Sequence, residues 1–228
     1  MKYTTILLAA GSGSRMALGY NKMLLKIENN PLITLSLSKF NDDSNCTELI
    51  IVVNEKEQER IKILLQKHKL ITKKIKIVKG SYERQYSVYN GLKHATNEIV
   101  LIHDGARPFI TKTLINNLIE EAKNYGCSIP GVKVKDTIKK VANNFVKETI
   151  SRENLYVIQT PQVCKLSLIK KVHNIALKDN YLANDEASLI EKYTNNQVKI
   201  VESSYDNIKI TTKHDLKIAS VLYNKYYK

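Results

Sequence analysis

The chain has 228 residues, 43% of them hydrophobic and 25% charged, with no tryptophan and a formal net charge of +14. That length and balance suit one globular domain and exclude a disordered or fibrous chain. No run approaches the roughly 18–20 apolar residues that span a bilayer, so no membrane partner is expected.

Elements follow in an alternating order. Thr5 to Ala9 reads as a buried strand; the apolar run after Lys2 is brief and meets Arg15 where an export signal would be neutral, so strand and loop are expected, in a cytoplasmic protein. Pro31 opens an apolar-periodic helix through Phe40. Leu49–Val53 is a second strand, and Glu55 to Lys67 a charged amphipathic helix with Ile61, Leu64 and Leu65 inward. Ile75–Val78, a helix from Glu83 to Ala95, Ile99–Ile102 and a helix from Thr111 to Asn124 continue the rhythm.

Near residue 133 the rhythm changes. Two alternating runs, Asp136–Val141 and Phe145–Ile150, flank Asn143-Asn144 and read as a β-hairpin. Such a hairpin has little to bury alone, so it either lies along the sheet or reaches another subunit. A strand at Tyr156–Gln159, helices at Leu166–Lys178 and Asp185–Lys192, and strands at Val198–Val201 and Ile208–Ile210 follow. Thr212-Lys213-His214-Asp215 then resembles a capping box before a last helix carrying Leu216, Ala219, Leu222 and Tyr226. The pattern predicts an α/β, Rossmann-like, mostly parallel twisted sheet with helices on both faces. A single domain over 1–228 carries the β-arm at about 132–153.

Ligands of such sheets bind outside the carboxyl ends of the strands, and two sequence features fall there. Leu8-Ala9-Ala10-Gly11-Ser12-Gly13-Ser14-Arg15 follows the first strand, with Lys22 close behind. Its glycines free backbone N–H groups to face phosphate, or simply make a tight turn. It has no Gly-Lys-Ser/Thr, and Met16 stands where a dinucleotide fingerprint needs a third small residue. Arg15 and Lys22 suit a triphosphate. Asp104 ends an otherwise apolar strand beside Gly105, with Arg107-Pro108 at the exit. A carboxylate there either caps the next turn or binds Mg²⁺, which commonly takes one or two carboxylates plus substrate phosphates.

Cys46, Cys127 and Cys164 lack CxxC spacing, and the histidines lack HExxH, so neither a disulfide framework nor a zinc site is expected. The lysine excess is scattered, as at Lys62, Lys67, Lys69 and Lys73, in the manner of solvated faces. A polyanionic small substrate accounts for its sign at least as well as a nucleic acid, and no nucleic-acid partner is expected.

Taken together, these segments resemble the 2-C-methyl-D-erythritol 4-phosphate cytidylyltransferases. The likeness runs almost end to end: Ala9 to Met16, Lys22, Glu83-Arg84 with Ser87-Val88, His103 to Pro108, Asp136 to Lys139, Arg152, Thr160-Pro161-Gln162, Asp185 to Ser188 and Asp206 to Lys209. The resemblance implies transfer of CMP from CTP to the sugar-alcohol phosphate. Ala9, Ala10, Gly11 and Gly13 would lie along the CTP, with Arg15 and Lys22 on its phosphates and Arg84 and Ser87 at the nucleotide end. Asp104 would hold Mg²⁺ or another divalent cation, and Arg107 would approach the acceptor phosphate. Thr137 and Arg152 would sit on an arm that reaches the partner's site in a homodimer, and Lys209 would face the attacking phosphate or the α-phosphate. Asn21, Ser81-Tyr82 and Asn184 depart from the usual pattern. The competing readings are a ribitol-5-phosphate cytidylyltransferase, a nicotinamide-dependent oxidoreductase and a basic nucleic-acid-binding module.

Overall fold

The computed structural model describes residues 1–11 and 21–227. Its first strand, β1 (Tyr3–Leu8), leads past a 3-10 turn at Lys22–Leu24 into the short pair β2 (Lys26–Ile27) and β3 (Asn30–Pro31). Helix α1 (Leu32–Asn41), β4 (Cys46–Val53), α2 (Gln58–Lys67), β5 (Ile75–Lys79), α3 (Arg84–Leu92), β6 (Ile99–Asp104) and α4 (Lys112–Tyr125) follow. The second half holds β7 (Cys127–Lys133), β8 (Ile138–Ala142), β9 (Phe145–Ile150), β10 (Tyr156–Ile158), β11 (Gln162–Lys165), α5 (Leu166–Lys178), α6 (Glu186–Tyr193), β12 (Lys199–Glu202) and α7 (Lys213–Tyr227).

Strand alternation explains the layers. Ile6, Ile50, Val52, Val100 and Ile102 face one core with α3, α5 and α6, while Leu7, Leu49, Ile51, Val53 and Leu101 face another with α1, α2, α4 and α7. Each such side chain, taken fully from water, contributes roughly 1.5–3 kcal/mol. The sheet runs β5-β4-β1-β6-β11-β7, with β12 on the far edge of β7 and β10 also paired to β7. All pairings are parallel except those of β10 and β11. The chain moves outward from β1 through β4 to β5, then returns to place β6 on the other side of β1. This reversal opens a crevice at the carboxyl ends of β1 and β6.

Three local findings differ from the sequence reading. Strand β7 was hidden because Pro130 and Gly131 interrupt it like a loop. Pro130 falls where the neighbouring chain breaks between β10 and β11, so the ladder tolerates it. Strand β11 was hidden by its brevity. Ile208–Ile210 is not a strand: it crosses the strand ends, held at Ile210 by one backbone bond to the carbonyl of Ala106 (2.9 Å).

Other local expectations are met. The hairpin β8–β9 forms its own antiparallel pair around Asn143 and Asn144, whose φ values of 50° and 65° match a two-residue type I′ turn. It is exposed nearly throughout, including Val141, Phe145 and Val146. Before α7, the amide of Asp215 donates to Thr212 Oγ1 while its own carboxylate accepts from the amide of Thr212, the two halves of a capping box.

Candidate active site

Leu8 and Asp104 are register partners at the ends of β1 and β6, and the amide of Gly105 donates to the carbonyl of Leu8 (2.9 Å). A Cβ on Gly105 would stand 2.9 Å from that oxygen and 3.0 Å from Met23 Sδ, so only glycine allows the two chain ends to meet so closely. A cavity of about 500 Å³ opens above this junction. Ala9, Ala10, Gly11, Lys22, Arg84, Ser87, Asp104 and Lys209 all line it.

One end of the cavity is charged. Lys209 Nζ lies 2.7 Å from Asp104 Oδ2, with Arg84 Nε at 3.6 Å from Oδ1 and Arg107 Nε at 3.9 Å from Oδ2. Burial would raise the pKa of Asp104, but Arg84, Lys209 and Arg107 outweigh it and hold the carboxyl well below the usual carboxylate range. Lys22 extends from the 3-10 turn and donates to the carbonyl of Ile210 (3.2 Å), beside Lys209. Asn21, which departs from the resembled family's usual pattern, opens that turn with a φ of −62°, the angle a proline would impose. Its side chain accepts from the amide of Met23 and donates to the carbonyl of Ala9, so the turn is tied down by hydrogen bonds instead of by a ring.

The other end is mainly neutral, although Glu83, next to Tyr82 in the chain, also lines the cavity. The amide of Gly80 donates to the carbonyl of Val53 (2.7 Å), and a Cβ on Gly80 would come within 2.5 Å of Ala10 Cβ. Ser87 Oγ accepts from the amide of Ser81 (2.9 Å), fixing the loop before α3. Asn54, Ser81, Tyr82 and Ala10 complete this end.

Behind the cavity, polar side chains hold its charged groups in place. Arg84 forms a two-pronged pair with Glu186 (2.8 and 3.0 Å), which is only 1% exposed. Gln162 accepts from the amides of Glu186 and Ala187 and donates to Asp185, so it anchors the start of α6. Arg107 Nη1 donates to the carbonyl of Asn207 (2.7 Å), whose side chain donates to Gln159 and to the carbonyl of Thr160. His103 Nε2 lies 2.9 Å from the carbonyl of Arg107, which can only accept, so the proton sits on Nε2 and Nδ1 accepts from Thr160. Thr160 Oγ1 accepts in turn from the amide of Asp104. Burial depresses the His103 pKa to about 4, which keeps the ring neutral.

Arg107 thus joins the site through Asp104 and Asn207. Thr137 and Arg152 stand apart from the cavity, exposed at the root of the arm, where Arg152 donates to the carbonyl of Lys135. Gly13 and Arg15 lie outside the described residues. Glu186, Gln162, Asn207 and His103 fall within the family-like motifs, but their sequence context alone gives them no role. The available signal was a charged or amide side chain inside an otherwise apolar or capping segment.

The family model described as IspD, 2-C-methyl-D-erythritol 4-phosphate cytidylyltransferase, matches residues 3–225. A Geobacillus kaustophilus protein named 2-C-methyl-D-erythritol 4-phosphate cytidylyltransferase is 47% identical over 223 residues, 97% of each chain. The crystal structure of 4-diphosphocytidyl-2C-methyl-D-erythritol synthase from Anaerococcus prevotii superposes with a TM-score of 0.85 at 30% identity, covering 98% of both chains. That of a Thermus thermophilus 2-C-methyl-D-erythritol 4-phosphate cytidylyltransferase gives 0.82 at 26%, covering 98% of this chain and 100% of the other.

Proposed function

We propose that this chain, which belongs to the 2-C-methyl-D-erythritol 4-phosphate cytidylyltransferase family, transfers CMP from CTP to 2-C-methyl-D-erythritol 4-phosphate and releases pyrophosphate. The observation that carries the residue assignments is the buried carboxylate of Asp104, ringed by Arg84, Arg107 and Lys209, in a cavity that Lys22 also lines, at the switch point of the sheet.

The mainly neutral end suits a flat base against Ala10, Ser81 and Ser87, with the backbone of Ala9, Ala10 and Gly11 leading toward the phosphates. Gly13 and Arg15 extend that loop by resemblance. The charged end takes the phosphates. The acceptor is a phosphate monoester, mostly dianionic at neutral pH because its second pKa is about 6, so it is nucleophilic without a general base. Two polyanions must nonetheless meet, and charge grows on the α-phosphoryl oxygens. Lys22 and Lys209 offset that charge, Arg84 steadies the nucleotide end, and Arg107, assigned to the acceptor phosphate by resemblance, acts from behind the lining through Asp104 and Asn207. Catalysis is then positioning plus preorganised electrostatics.

A divalent cation suits this donor set. Among the described residues no group of three or more acidic, histidine or cysteine side chains could form a cage. Asp104 would offer a hard oxygen ligand once Lys209, 2.7 Å from its Oδ2, turns to phosphate, which leaves the remaining positions to phosphate oxygens and water, the usual mode for Mg²⁺. Bound there, Mg²⁺ would supply further neutralisation of phosphate charge.

The arm is assigned to a second copy of the chain. Val141 and Val146 (54% and 61% exposed) are register partners on one face of a two-stranded ribbon and Phe145 (73%) stands on the other, apolar surface that a partner subunit would cover. Thr137 and Arg152 would then serve the partner's cavity. None of the described helices is long and apolar enough to cross a membrane, and we assign these water-soluble substrates a cytoplasmic reaction.

Pyrophosphate release with CTP and Mg²⁺ tests the acceptor. Turnover with 2-C-methyl-D-erythritol 4-phosphate and little with ribitol 5-phosphate is expected; the reverse preference would keep the mechanism but overturn the assigned acceptor.

A further inference from the structure

Tyr82 stands at the mouth of the cavity, among the residues that line it. It lines the mainly neutral end beside Glu83 yet is 85% exposed, an unusual setting for so large a ring. The neighbouring backbone is fixed on both sides: the amide of Ser81 is held by Ser87 Oγ, and the carbonyl of Glu83 accepts from the amide of Ser87 (3.0 Å). The ring of Tyr86 meets Tyr82 edge-on, with centroids 5.2 Å apart and planes at 67°. An anchored backbone, an exposed aromatic face and a braced edge leave two side-chain torsions with which the ring can turn toward the cavity.

We infer that the Tyr82 ring stacks on the outer face of the nucleotide's pyrimidine ring and so sets affinity for the nucleotide through its base. This rests on the nucleotide reading of the mainly neutral end. Aromatic stacking reads a π-face and not the hydrogen-bonding edge. Tyr82 therefore strengthens CTP and UTP alike, while discrimination between them lies with the groups around Ala10, Ser81 and Ser87. The hydroxyl has no part in this, so phenylalanine should replace it.

Equilibrium binding of CTP with Mg²⁺ to the full chain tests the inference. Loss of one base–aromatic stack corresponds to roughly a 5- to 150-fold weaker Kd. Tyr82→Ala is expected to lose at least about fivefold for both CTP and UTP, with pyrophosphate binding unchanged. Tyr82→Phe should stay within about twofold of wild type. CTP binding by Tyr82→Ala within twofold of wild type would overturn the inference alone. A wild-type chain that binds no CTP would overturn the nucleotide reading and the inference with it. The chain contains no tryptophan, so Tyr82→Trp supplies a single fluorescent reporter at the same place. Its emission should change on saturation with CTP and not with pyrophosphate; an unchanged emission with CTP would also refute the stack.

Discussion

Replacing Glu186 with glutamine removes one charge from behind the cavity and leaves the shape almost intact. Glu186 is 1% exposed and meets Arg84 through both oxygens, at 2.8 and 3.0 Å. Removing one partner of a fully buried pair costs about 3–5 kcal/mol, because the other charge is left without its counterion. Two features reduce that figure here. The Arg84 side chain is 31% exposed and can draw on water, and glutamine still accepts one of the two hydrogen bonds. About 2 kcal/mol remains, which for a chain of this size is roughly a 4–8 °C fall in Tm. Function should change as well. Arg84 already lies 3.6 Å from Asp104, and without Glu186 it is expected to close on that carboxylate and leave the nucleotide end. The KM for CTP should therefore rise more than kcat falls. Urea unfolding of Glu186→Gln, Arg84→Met and the double variant forms the assay, with a coupling of about 1–2 kcal/mol expected between the two sites. A loss below about 0.5 kcal/mol with no coupling would show an ordinary surface pair and refute the account of how Arg84 is held.

Further outcomes follow from the site and the arm. Lys22→Ala should lower kcat by roughly 10²–10³, the scale of one preorganised charge-stabilising donor; a change under about threefold would remove Lys22 from the phosphate site. If the arm serves a partner, mixed Arg152→Ala and Lys22→Ala chains should regain part of the activity that each lacks alone, measured after subunit exchange is confirmed. No recovery would place each site within one chain. Burial holds both His103 and His173 near pKa 4, below the ordinary 6.5. The unfolded chain therefore takes up protons first on acidification. Their contribution is complete above pH 6.5 and is lost as pH falls from there toward 4. At pH 5 the loss is about 2 kcal/mol per histidine relative to pH 7.5, measurable by urea unfolding. His173 has no hydrogen-bond partner for either ring nitrogen among the described residues, so His173→Leu should flatten this pH dependence without lowering stability at pH 7.5. A slope unchanged by that substitution would contradict the assignment.

The elements that were legible in the sequence are those whose cause is local. Uninterrupted apolar runs marked β1, β4 and β6, and Asp104-Gly105 ended one of them so abruptly that a functional carboxylate could be inferred. Asn143-Asn144 announced its own turn, since asparagine tolerates the positive φ that a tight hairpin requires. The capping residues at Asp185 and Thr212 likewise satisfy nearby amides. What stayed hidden depends on contacts between distant segments. Pro130-Gly131 argues against a strand until the break between β10 and β11 is placed beside it. Ile208–Ile210 carries apolar alternation, yet its task is to carry Lys209 across the strand ends to Asp104. The tie between Arg84 and Glu186 joins positions 102 residues apart, and no local pattern reports such a pairing. Asn21 shows the same limit from the other direction. A residue without proline's ring there looks like loosening until its bonds to Ala9 and Met23 are seen.

The central claim is that charge placement, without a general base from the protein, carries the transfer. The pH dependence of kcat/KM for 2-C-methyl-D-erythritol 4-phosphate, at fixed CTP and Mg²⁺, tests it most directly. His103, the histidine next to Asp104, stays neutral down to about pH 4, and the acceptor phosphate ionises with a pKa of about 6. The profile should rise through that one ionisation and then stay level to about pH 8.5, with the same midpoint in a slowed Lys22→Ala enzyme. A second ionisation on the rising limb, belonging to the enzyme and required for turnover, would contradict the account.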